Sequence, residues 1–152
     1  MTSEIQITPS EREAQALSPD RLSEAFKLTD KYGYLVLRSV IETSHLSQLQ
    51  SLYDDAWQAF KPAKSSWIAG RQIIGHLNVN PPASKHFANA YVLGNKIVCA
   101  VTSGILGADL CISDVGGNTN QPGSIDPYLH SDVDFEEFKK LLVNIPLGDV
   151  EE

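Results

Sequence analysis

The period at which apolar residues recur changes partway along this chain, and nothing else in the sequence limits the fold as much. Up to about residue 106 the longer segments repeat at helical spacing; from Ala108 onward short strand-like runs and turn residues take over. Helices first and strands last, with no internal repeat, predict an α+β fold whose sheet lies mostly in the C-terminal part. A length of 152 residues leaves room for one domain with a real core and not for two comfortable ones.

Residues 1–16 are polar and aperiodic and are expected to form a flexible N-terminal tail, with the domain occupying 17–152. Ser18-Pro19-Asp20 has the chemistry of a helix start. It offers a capping hydroxyl, a proline where no N–H is needed, and a carboxylate near the positive end of the helix dipole. Leu22, Ala25, Phe26 and Thr29 recur at helical spacing until Gly33 stops the run, and YLVLRSV over 34–40 reads as a strand. Thr43 is expected to cap a second helix whose apolar positions are Leu46, Leu49, Leu52, Tyr53, Ala56, Trp57 and Phe60, with Pro62 ending it. A strand over 72–79, a helix near 84–93 and another near 95–106 follow. Beyond them LCISDV (110–115), PYLHSDVD (127–134) and KLLVNIPL (140–147) read as strands, and GGNTNQPGS (116–124) reads as a long turn.

Charge narrows the choice of partners. The net charge of −7 is concentrated at the two ends: residues 1–24 carry −3 and residues 132–152 carry −5, leaving the middle nearly neutral. No basic stripe exists to neutralise phosphates, which argues against nucleic acid. The longest weakly polar stretch, 97–110, is interrupted by Thr102, Ser103, Gly104 and Gly107 and reads as a buried helix, so no membrane partner is expected. MTSEIQITPSERE has no basic segment leading into an apolar one, and the expected location is cytoplasmic. Cys99 and Cys111 have no metal-site spacing and are expected to be reduced and buried.

His130-Ser131-Asp132 is the constellation with chemical potential. On a strand, residues two apart project from the same face, so the imidazole and the carboxylate point to one spot. Those are two of the three ligands of the facial triad used by non-haem Fe(II) oxygenases, which leaves metal positions open. The pattern is short and recurs by chance, so its bland reading is a hydrogen-bonded surface pair. The other histidines read as structural: His45 and His86 as solvent-facing helix residues, and His76 as a strand residue whose minority reading lines a pocket.

The string GGNTNQPGSIDPYLHSDVD followed by KLLVNIPLGDVEE resembles the central part of the phytanoyl-CoA dioxygenase family. DKYGYLVLRSVI followed by an amphipathic helix is similar to that family's opening, and the likeness runs from about residue 18 to the end. The resemblance implies a double-stranded β-helix, a jelly-roll-like barrel, here incomplete. It also implies Fe(II) as metal, 2-oxoglutarate as co-substrate, and hydroxylation of a small organic molecule. His130 and Asp132 would then be metal ligands, and Asn144 and Gln121 would face the 2-oxoglutarate. In the family a further segment carries the distal histidine and a basic anchor for the co-substrate, and it is not matched here. The expectation is therefore an N-terminal portion of such a domain, with self-association through an open sheet edge as a possible partner mode. A non-catalytic remnant, or a binding or oligomerising protein of the same fold, stands as the alternative.

Overall fold

The computed structural model describes residues 3–60, 65–68, 71–74, 76–78, 91–120, 122–125 and 140–148. The expected helix near 84–93 falls mostly outside them, with 91–94 forming a turn, and the expected strand over 127–134 falls wholly outside.

The first element is a correction. Residues 3–16 are not a tail: Glu4–Gln6 forms strand β1 and Pro9–Ala14 forms helix α1. The pattern Ile5-x-Ile7 puts two apolar side chains on one strand face, and both are buried. Thr8 and Glu11 form a reciprocal capping box, in which the Thr8 hydroxyl accepts from the Glu11 N–H and the Thr8 N–H donates to the Glu11 carboxylate at 2.9 Å. Gln15 closes α1 in the left-handed region with φ +51°.

Helix α2, Pro19–Tyr32, begins and ends where the sequence predicts. Ser18 caps it, Pro19 occupies its first position, and Gly33 closes it at φ +75°, a conformation glycine adopts without a Cβ penalty. Strand β2, Val36–Arg38, is shorter than the expected 34–40. It runs parallel to β1 with Ile5 opposite Leu37. A parallel pair needs a crossover connection, and α1 and α2 provide it. The Ser3 carbonyl accepts from the Val36 N–H at 2.8 Å, and the Arg38 carbonyl accepts from the Ile7 N–H at 2.9 Å.

Helix α3 is Thr43–Phe60, as its apolar period predicts, but Thr43 is its first residue and not its cap, since the Leu46 N–H donates to the Glu42 carbonyl. Strands β3 (Ser65–Ile68) and β4 (Arg71–Ile74) pair antiparallel. Within the strand expected over 72–79, residues 72–74 belong to β4, and β5 (His76–Asn78) pairs with β6 (Asn118–Asn120). Helix α4, Lys96–Leu106, agrees with the expectation for 95–106.

Two apolar clusters organise the described residues. The first joins Ile5 and Ile7 of β1, Ala25 of α2, and Ile97 and Val101 of α4, with Leu22, Leu37 and Ile105 packed around them. Ile97 and Val101 are four residues apart and so share one helix face. The second joins Leu49 of α3 to Val92, flanked by Leu52, Tyr53, Leu93, Ile145 and Leu147.

The C-terminal readings need three corrections. Residues 110–115 are irregular, not strand, and Ile112 and Val115 stand exposed, so no apolar face there is covered to hold a pleat. Within the expected turn, Asn118–Asn120 is a strand because β5 supplies its ladder. Residues 140–147 are irregular: Leu142 and Val143 are exposed, Pro146 has no N–H to donate, and Ile145 and Leu147 pack against Leu49 and Val92. The structure is therefore mixed helix and strand, with a small parallel pair and no closed barrel among the described residues. No helix among them is long and apolar enough to cross a membrane.

Candidate functional site

The site proposed from sequence depends on what precedes and follows His130-Ser131-Asp132. His130, Asp132 and Gln121 lie outside the described residues. Their approach is described. Strand β6 sets His76 opposite Asn120 and Leu77 opposite Thr119 in an antiparallel register. The Thr119 hydroxyl and the Tyr53 hydroxyl of α3 are 2.9 Å apart, which ties this strand to a helix 66 residues earlier in the chain. Gly123 follows at φ +79°, where any side chain would be strained, so the glycine in this turn has a backbone reason.

Asn144, the other residue assigned to the co-substrate, is exposed in the irregular segment 140–148. Its neighbour Ile145 and then Leu147 anchor that segment against Leu49 and Val92. The amide of Asn144 is thus presented outward beside two apolar residues, Ile145 and Leu147, that pack against Leu49 of α3 and Val92.

Among the described residues no group of three or more His, Cys, Asp or Glu side chains could hold a metal ion. His45, expected to face solvent, is half-buried, with its ring 5.4 Å from that of Tyr91. His86 lies outside the described residues. Both cysteines are free as expected but exposed, not buried. Cys99 sits on the outer face of α4, away from Ile97 and Val101, with its sulfur 3.8 Å from the Leu93 carbonyl oxygen.

Two clefts open on the described surface. One, of about 500 Å3, lies between α2 and α4 and is lined by Phe26, Thr29, Asp30, Gly104 and Ile105. The other, of about 440 Å3, is bounded by α1, residues 40–42 and Tyr91. Arg12 on its wall donates to Glu42 at 2.6 Å and to the Ser39 carbonyl at 2.9 Å, while the Gln15 amide donates to the Arg12 carbonyl at 2.9 Å.

Among the described residues, the perturbed titratable groups Glu4, Glu11 and Arg38 lie in the N-terminal elements. The Glu4 carboxyl lies below the usual carboxylate range, chiefly through its hydrogen bond from Arg38, whose own pKa the pairing raises. Glu11 is also held low, first by the Thr8 backbone N–H and then by Arg21. Each of these ion pairs joins residues 3–16 to the body: Glu4 with Arg38 at 2.7 Å, Glu11 with Arg21 at 2.9 Å, and Arg12 with Glu42 at 2.6 Å.

Asn95 was not singled out by sequence reasoning. It is almost fully buried, and its side-chain oxygen caps α4 by accepting from the N–H groups of Ile97 and Val98 at 3.1 and 3.2 Å. Its amide nitrogen donates to the carbonyls of Tyr91 and Val40. An Asn one residue before a helical apolar run is an N-cap signal, and Gly94-Asn95 carried it. No protein-family model matches this chain.

Proposed function

We propose that this chain has the pattern of an Fe(II)- and 2-oxoglutarate-dependent dioxygenase of the phytanoyl-CoA dioxygenase type, acting on a small organic substrate in the cytoplasm. On this reading the described strands are parts of a double-stranded β-helix. The carrying observation is the run from Gly116 to Asp132, in which a Gly-rich turn leads to His130-Ser131-Asp132. Its support in three dimensions is the start of that run: β6 is paired to β5 and tied to α3 through Thr119 and Tyr53.

Iron with 2-oxoglutarate, when bound, supplies the activation of O2 needed to hydroxylate a C–H bond. The chain's contribution is a neutral imidazole from His130 and an anionic carboxylate from Asp132, a donor set suited to ferrous iron. Asn144 and Gln121 contribute carboxamides, which can donate hydrogen bonds to a carboxylate of the co-substrate. The exposure of Asn144 is compatible with that role.

The test is anaerobic calorimetry with Fe(II), and with Mn(II) as a redox-inert substitute, on the chain and on His130→Ala and Asp132→Ala. Binding by the parent and at least a tenfold loss in each variant, with unchanged circular dichroism, is the expected result. Equal binding by all three would overturn the metal assignment. Succinate formation from 2-oxoglutarate would then separate turnover from binding alone.

A second reading, a binding or self-associating protein of the same fold, is favoured by the exposed apolar side chains Ile112, Ile125, Leu142 and Val143. Sedimentation of the chain beside Leu142→Ser/Val143→Ser distinguishes the two, because only the second reading ties oligomer formation to these residues.

A further inference from the structure

No further inference is drawn: the strongest candidate, the cleft of about 440 Å3 between α1, residues 40–42 and Tyr91, has its Arg12 and Gln15 side chains already engaged within the chain, and nothing in the structure shows what would occupy it.

Discussion

The N-terminal elements with α4 and the C-terminal segments place their apolar residues in opposite ways. In the first region Ile5, Ile7, Ala25, Ile97 and Val101 are buried together, and helices α1, α2 and α4 are capped at both ends. In the second, Ile112, Val115, Ile125, Leu142 and Val143 stand exposed, and Ile145 and Leu147 are the residues that join a core. The difference lies in partners. Ile5 and Ile7 have β2 on one side and the α2–α4 face beneath them, so a short segment with two alternating apolar residues becomes a strand. KLLVNIPL has a stronger apolar content but no ladder among the described residues, and remains irregular.

That comparison is broken or sharpened first by truncating one residue on each side. Ile5→Ala and Ile97→Ala each remove a fully buried side chain from the first cluster and should each cost about 3 kcal/mol, the middle of the range for such cavities. Leu142→Ala and Val143→Ala remove side chains that are already half or more exposed and should stay within about 0.5 kcal/mol. Urea denaturation of the four variants measures this. Equal costs on the two sides would show that the C-terminal segments are as well packed as the N-terminal ones.

The next effect is smaller and lies inside the first region. A Cβ built on Gly104 would collide with the Phe26 ring, so the close approach of α4 to α2 depends on that glycine. Gly104→Ala should therefore destabilise by about 1–2 kcal/mol, overpacking outweighing the gain in helix propensity. In a Phe26→Ala background the ring is gone, and the same substitution should become stabilising by up to about 1 kcal/mol. A sign that does not change between the two backgrounds would mean that the ring moves aside freely.

Legibility in the sequence followed chemistry that is local. Ser18, Pro19 and Gly33 fix α2 through backbone groups within a few residues, and the apolar period of α3 and α4 needs no distant knowledge. The tail expected over 1–16 shows what was overlooked, because Thr8-Pro9-Ser10-Glu11 is a capping box with proline at the first helical position. The strand before it could not be read with the same ease. Three residues of β1 gain their meaning from β2, about thirty positions away, and from ion pairs that bridge similar separations. The same limit explains 118–120, where turn residues form a strand because β5 lies alongside. At the candidate site the Gly- and Pro-rich composition of the turn was legible, and Gly123 at φ +79° agrees with it, whereas the tie from Tyr53 to Thr119 was not legible.

That tie gives a prediction for the second region. Tyr53→Phe deletes the hydroxyl that meets Thr119, and the loss should be about 1 kcal/mol, the usual net value of such a bond. Thr119→Val should cost a similar amount, and the double variant should cost less than the two together. Hydrogen exchange at the Asn118–Asn120 amides should quicken in each single variant while the amides of α2 are unaffected. Additive single effects would show that the two hydroxyls do not act on each other.

The smallest effect is electrostatic and belongs to the N-terminal region, whose ion pairs bind residues 3–16 to the body. Glu4 and Glu11 are both held below the ordinary carboxylate range in the folded protein. A depressed folded value means that the unfolded chain takes up protons first as pH falls. The contribution is therefore fully present above the unfolded value of ~4.3 and is lost as pH drops through the folded values. Glu4→Gln should lower the urea midpoint at pH 7 and converge on the parent at pH 3. The partners also differ in kind. Glu4 depends chiefly on the guanidinium of Arg38 on an exposed strand face, so its contribution should shrink when salt is raised. Glu11 depends first on the Thr8 backbone N–H, a short-range bond at a helix start, so the cost of Glu11→Ala should survive added salt better. A Glu4→Gln cost that stays constant from pH 7 to pH 3, or an equal salt response at both positions, would show that burial of Ile5 and Ile7 alone holds this segment in place.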